Sequence, residues 1–281
     1  MLRQRVVTAV LLLAVLLPTL FWPAPQPFAA VVLLLLAVGA WEWGRLNGLA
    51  SAPAVGCAVA CLLLCAGSWR AGWIAASLPL LWTVAGAAWV LGGALVLRRG
   101  VAGWGTVPRW LRLAGGIAAL WLAWLAVAQA RIRGIEFLLS AFVLVWVADV
   151  AAYFAGRAFG MRLARVRLAP GISPGKSWEG VWGGMVAVLA IAALWIQADR
   201  AGMGAGHSLY TLLADRGLAV LVVGLVFLAA MSVVGDLVES LVKRSAGMKD
   251  SSGLLPGHGG VLDRVDALLP VLPLAMMLSS F

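Results

Sequence analysis

Charge is what this chain has least of. Asp, Glu, Lys and Arg make up 11% of its 281 residues, under half of the roughly 25% usual in soluble domains. Apolar residues make up 63% and the mean hydropathy is +1.01. Neither a disordered chain nor a soluble domain fits these values, and the natural solvent is a bilayer. Three cysteines are too few for a secreted disulfide scaffold. The 33 glycines follow no triplet period, which excludes collagen, and no heptad repeat supports a coiled coil. Internal repeats are missing as well, which takes support from a repeat-built transporter. Lysine occurs three times and histidine twice, so every ionisable residue kept in so apolar a chain needs a reason.

Apolar runs bounded by Pro, Gly or Arg are abundant instead. They give about nine candidate membrane helices, each close to the ~20 residues a crossing needs. The runs are 6–22, 28–44, 53–68, 73–97, 115–130, 135–156, 178–197, 217–239 and 265–281, and the fourth could divide near Gly86 or Gly92. The expected fold is an all-α, polytopic membrane protein. Its start imitates a signal peptide, with Arg3 and Arg5 before an apolar core and small residues at Ala29 and Ala30. A first helix that stays is nevertheless the common case in polytopic proteins. With the N-terminus cytoplasmic, sixteen Lys and Arg fall inside and five (Arg70, Arg131, Arg133, Arg200, Arg216) outside, the bias expected of inner loops. Nine of the sixteen lie in two loops rich in acids and lysines; without them the split is seven to five and keeps its sign. The +10 net charge therefore reads as loops beside anionic headgroups in a cytoplasmic membrane, not as a nucleic-acid surface.

Cys57, Cys61 and Cys65 share one face of the third span. Ligation would need thiolates inside hydrocarbon, so packing is expected. Trp22, Trp69, Trp73 and Trp104 near span ends suit interfacial anchoring, and Trp121 and Trp124 suit packing. Glu42, in the run WEWGRL, is expected to snorkel or to pair with Arg45 one turn on.

The rare residues are not scattered. Seven of eleven acids (Asp149, Glu179, Asp236, Glu239, Asp250, Asp263, Asp266) and all three lysines (Lys176, Lys243, Lys249) fall in 146–180 and 235–266. In the second segment Asp236, Glu239, Ser240 and Lys243 are spaced to share one helix face, and Asp263 and Asp266 are a turn apart. A carboxylate inside the membrane costs ~2.5–3.5 kcal/mol even on a lenient scale, so several at one depth call for a counterion. Hard oxygen donors point to Mg²⁺. Lys243, Arg244, Lys249 and Arg264 lie among the acids, with His258, Gly259 and Gly260 in a flexible stretch. Carboxylates for metal beside cations and glycines for phosphate suit phosphoryl or nucleotidyl transfer. In the first segment Asp149 ends the sixth span. Ser173, Lys176 and Ser177 precede the seventh and could cradle phosphate at its N-terminus, with Ser177 also an ordinary N-cap. A P-loop is rejected there, since the glycine spacing is one short and no strand is expected before it.

The stretch from Ser240 to Arg244, Lys249-Asp250, and Leu255-Pro256-Gly257-His258-Gly259-Gly260-Val261-Leu262-Asp263-Arg264-Val265-Asp266 resembles the signature of the phosphatidate cytidylyltransferase family without a mismatch. The resemblance covers roughly 130–281, and earlier residues match in hydropathy and in WEWGRL. Val150 and Ala151 depart from the family, which usually has a small polar residue and Gly or Ala after the first Asp.

What the resemblance implies is a reaction of CTP with phosphatidic acid, giving CDP-diacylglycerol and pyrophosphate. Asp236, Asp263 and Asp266 would hold Mg²⁺ or a pair of cations, with Asp149 and Asp250 as further contributors. Asp236, Lys243, Asp263 and Asp266 would be catalytic. Ser173, Lys176, Ser177, Ser240, Arg244, Lys249, His258, Gly259, Gly260 and Arg264 would bind substrate phosphates. Residues 1–134 would be scaffold and dimer contacts and 135–281 the catalytic region, in a homodimer whose site faces the cytosol. A lateral groove among spans six to nine is expected to admit the lipid. The rivals are a CTP-dependent transferase acting on another lipid and, from another class, a transporter with a carboxylate pathway.

Overall fold

In hydrocarbon each backbone N–H and C=O must find its partner within the protein, and a helix does this within one segment. The computed structural model, which describes residues 2–204 and 206–280, is accordingly almost all helix. The order is α1 (Leu2–Leu20), α2 (Gln26–Leu46), α3 (Ser51–Arg70), α4 (Pro79–Trp104), α5 (Arg109–Arg133), α6 (Ile135–Phe159), β1 (Arg167–Ala169) and β2 (Ser173–Ser177). It continues through α7 (Trp178–Arg200), α8 (Leu209–Ala214), α9 (Leu218–Ser245), α10 (Leu262–Val265) and α11 (Leu268–Leu278). Among the described residues eight helices, α1 to α7 and α9, are long and apolar enough to cross a membrane. Each coincides with an expected span. Helix α4 runs unbroken through Gly86 and Gly92; its one non-helical residue is Gly100, at φ 67°.

The ninth expected span differs. Residues 262–278 form two short helices that meet at Asp266–Ala267, and α11, with 11 residues, is only about 16 Å long. Pro270 has no N–H to donate to the Asp266 carbonyl. Gly235 of α9 packs there instead, and a Cβ on it would lie 2.5 Å from that oxygen. From this contact α11 follows α9 until Leu278 reaches Gly224, and Arg216 donates to the Leu278 carbonyl at 2.5 Å. Every residue from Leu269 to Met276 is buried, so α11 is a core helix, starting beside Gly235 and running back along α9.

Small residues decide how close α6 and α7 come. A Cβ on Gly180 would lie 2.9 Å from the Ala152 carbonyl, one on Gly184 2.8 Å from that of Ala148, and one on Gly183 2.3 Å from the Ala155 Cβ. This is the small-residue packing by which membrane helices approach without a hydrophobic driving force. Cys57, Cys61 and Cys65 are buried in the core as expected. Ser177 caps α7, accepting from the Gly180 amide at 3.2 Å. Contrary to the expectation of a strand-free stretch, Gly175-Lys176-Ser177 lies on β2, paired antiparallel with β1. Glu179, buried at the start of α7, accepts from the Leu163 and Ala164 amides, each at 2.9 Å, and ties down the connection from α6.

The N-terminal end of α1 lies beside the signature segment, where Thr8 donates to the Pro256 carbonyl at 2.9 Å. At the other end of α1, Arg131 binds the carbonyls of Leu20 at 2.9 Å and Trp22 at 2.7 Å. Helix α9 has 28 residues, about 42 Å. Counting ~30 Å of hydrocarbon from Leu218 ends near residue 238, so Asp236 stands close to the boundary and the last two turns project beyond it.

Candidate active site

The close α6–α7 contact widens toward α9 into a cavity of about 460 Å³, within the size range of small-ligand sites. Asp149, Tyr153, Gly156 and Arg157 line it from α6, Lys176 and Ser177 from β2, and Asp236 from α9. Tyr153 and Arg157 follow Asp149 by one and two helical turns; that spacing was the signal in the sequence, and neither was among the expected binding residues. Arg157 donates to the Tyr153 hydroxyl at 3.2 Å.

Lys176 pairs with Asp236 across this cavity, and Ser240 donates to the other Asp236 oxygen at 3.2 Å. The two acid-rich segments, 60 residues apart at this pair, are thus one site. One turn along the same face of α9, Lys243 pairs with Glu239 and donates to Asp263 at 2.6 Å. The face expected from the spacing of Asp236, Glu239, Ser240 and Lys243 is the one that carries these contacts. Glu239 is buried, and among the described residues the Lys243 ammonium is the one partner its oxygens have.

Asp266 sits between these pairs. One of its side-chain oxygens accepts from the Ala267 amide at 2.7 Å, and its backbone carbonyl packs on Gly235, the residue before Asp236. Asp149 and Asp236 line the cavity and Asp266 lies beside the turn of α9 that carries Asp236, all three of them oxygen donors. That donor chemistry fits a hard divalent cation. As the side chains stand, no three acids, His or Cys among the described residues close around one point.

Asp263 has a different environment. One oxygen takes the Lys243 bond; the other accepts from the Ser251 amide at 2.9 Å, the Ser251 hydroxyl at 2.8 Å and the Gly260 amide at 2.7 Å. Burial works to raise this carboxyl, but the bonds from Lys243 and from the Gly260 and Ser251 amides outweigh it and hold it at about 2. With four donors already on it, Asp263 organises the signature segment. Gly259 (φ +80°) and Gly260 back onto the same acids: a Cβ on Gly259 would lie 2.7 Å from Asp263 Oδ2, and one on Gly260 2.0 Å from Ser251 Oγ. The glycines are thus required by carboxylate packing, whatever else they line.

The remaining expected residues divide in two. Arg264 donates to the His258 carbonyl at 2.9 Å and is exposed. His258 Nδ1 is buried and without a partner among the described residues. Arg244, Lys249 and Asp250 are exposed at the end of α9 and in the loop after it, and Ser173 is half-buried on β2, away from the cavity wall.

Glu42 overturns its expectation. It neither snorkels nor pairs with Arg45, which stacks on Trp41 at 5.0 Å. It is fully buried and accepts from Ser252 Oγ at 2.6 Å, Leu262 N at 2.8 Å, Val261 N at 3.0 Å and Ser251 Oγ at 3.2 Å. No local spacing could reveal partners some 210 residues away.

Comparison with known proteins gives the family. The profile of the cytidylyltransferase family matches residues 3–281. This chain belongs to that family. A Pseudomonas aeruginosa protein named phosphatidate cytidylyltransferase is 41% identical, over 97% of this chain and 95% of its own length. A Haemophilus influenzae protein of the same name is 37% identical over 97% and 96%. One from Bacillus subtilis is 38% identical over 50% of this chain and 46% of its own. As a member of the cytidylyltransferase family, the chain carries the family's signature on α9, α10 and the loop between them.

Proposed function

We propose that this protein transfers a cytidylyl group from CTP to phosphatidic acid, forming CDP-diacylglycerol and releasing pyrophosphate. The observation that carries the reading is that, in a chain matching the family from residue 3 to 281, the two acid- and lysine-rich segments meet at one cavity through Lys176 and Asp236.

The bond formed joins a phosphate oxygen of the lipid to the α-phosphorus of CTP, and the bond broken links that phosphorus to the oxygen leading to the β-phosphate. A phosphate monoester is already anionic at neutral pH, so the chain need supply no strong base. Its work is positioning and charge. Lys176 and Arg157 on the cavity wall bind phosphate oxygens, and Lys243, Arg244, Lys249 and Arg264 surround the signature segment with positive charge. His258, whose Nδ1 is buried without a partner among the described residues, would belong to the same phosphate-binding loop. Asp149, Asp236 and Asp266 would hold Mg²⁺, with Asp250 nearby; the ion, when bound, neutralises the developing and leaving charges. Lys176, paired with Asp236 on the cavity wall, would stand between that ion and the substrate phosphates.

The protein is multi-pass, and the charge bias of its loops supports a cytoplasmic N-terminus in an inner membrane. Thr8 on Pro256 keeps that terminus beside the signature, so CTP reaches the site from the cytosol while acyl chains remain among α6, α7 and α9. The N-terminal helices, with the exposed apolar face of α1, suit a homodimer.

Pyrophosphate release from CTP by the purified protein in detergent with Mg²⁺, with and without phosphatidic acid, tests the reading. Release that requires the lipid is expected. Release indifferent to it, or none from a folded preparation, refutes it.

A further inference from the structure

Glu42 is 0% exposed, and its four partners all belong to the signature segment. Ser251 and Ser252 stand at one end of the loop; Val261 and Leu262, whose amides open α10 and have no helical acceptor, stand at the other. Among the described residues no Lys, Arg or His forms an ion pair with Glu42. A buried charge held only by neutral donors is costly unless each bond is made, so the carboxylate tolerates little displacement of either loop end.

The surroundings are equally tight. A Cβ on Gly260 would lie 2.4 Å from Glu42 Oε1, and one on Gly39, a turn earlier on α2, would touch Leu262 at 3.4 Å. Ser251 Oγ lies 3.2 Å from Glu42 and 2.8 Å from Asp263. Its single proton serves one acid at a time, which couples the α2 carboxylate to the one that holds Lys243.

We propose that Glu42 is a positioning residue of the reaction: it clamps both ends of the 251–262 loop to α2 and so sets where Asp263, Lys243, His258 and Arg264 stand relative to the cavity. Its kinetic consequence rests on the cytidylyl-transfer reading. A misplacement of about 1 Å can cost on the order of 10²-fold in rate. Glutamine keeps the shape of Glu42 but turns an NH₂ group toward donors, so it cannot keep all four bonds.

The test compares Glu42→Gln, Ser252→Ala and the double variant with the unaltered chain in detergent. Expected are a fall of about 10²-fold in kcat/KM for Glu42→Gln, a double variant no worse than Glu42→Gln alone, and trypsin cleavage after Lys249 or Arg264 several-fold faster. Activity of Glu42→Gln within twofold of the unaltered chain overturns the proposal. So does a loss that follows thermal stability alone, with KM and cleavage rate unchanged, since Glu42 would then hold only the fold. If Glu42→Gln does not fold, Ser252→Ala removes one of the four bonds and carries the same two readouts. An unaltered chain inactive toward CTP and phosphatidic acid refutes the reaction, while the cleavage comparison still decides the clamp.

Discussion

Asp263→Asn separates a carboxylate that organises a loop from one that only binds an ion. Asp263 is held at about 2 against an ordinary 3.8, and its side chain is 7% exposed, so solvent screens the effect little. That difference corresponds to about 2 kcal/mol of preference for the charged, folded form. Because the folded carboxyl lies below its ordinary value, the stabilisation is complete above pH 3.8 and is lost as the pH falls through about 2. Asparagine retains one acceptor oxygen, which can serve the Ser251 and Gly260 donors, but it turns an NH₂ group toward Lys243 and ends the ion pair. Loss of a charge-assisted bond of this kind costs about 1.5–3 kcal/mol, which is of the same size. At about 2–4 °C per kcal/mol for a chain of this size, thermal unfolding in detergent at pH 7, followed by tryptophan fluorescence, should occur about 4–8 °C lower. The gap should narrow as both proteins are taken from pH 4 toward pH 2. A variant that melts within about 1 °C of the unaltered chain at pH 7 would refute the assignment of Asp263 to the loop.

Other sites give equally direct expectations. Lys176→Met removes the cation that faces Asp236 across the cavity; pyrophosphate release should fall by about 10²-fold, and an active variant would take Lys176 out of the site. Gly184→Val puts a side chain where a Cβ already lies 2.8 Å from the Ala148 carbonyl. It should cost about 1–3 kcal/mol and spread α6 from α7, seen as a lower melting temperature together with a raised KM. Chelation of divalent cations should abolish turnover and added Mg²⁺ restore it, with Asp149→Asn needing more Mg²⁺ for half-maximal rate; turnover indifferent to chelator would remove the ion from the mechanism.

The membrane class, eight helices long and apolar enough to cross, and the face that Asp236, Ser240 and Lys243 share on α9 were legible because they depend on local pattern. An apolar run of sufficient length must become a helix in lipid, and Asp236, Ser240 and Lys243 must share a side wherever that helix goes. The signature motif was legible for a similar reason, being one nearly contiguous stretch. Tertiary structure alone decided the partners. The pairing of Lys176 with Asp236, the four bonds on Glu42 and those from Lys243 and Ser251 to Asp263 join segments whose separation no periodicity encodes. The expected last span is two short helices, because hydropathy does not register that Pro270 leaves the Asp266 carbonyl without a donor and that Gly235 packs against it. A buried charge has no local rule to satisfy it, so where its donors come from is settled only when the whole chain has folded around it.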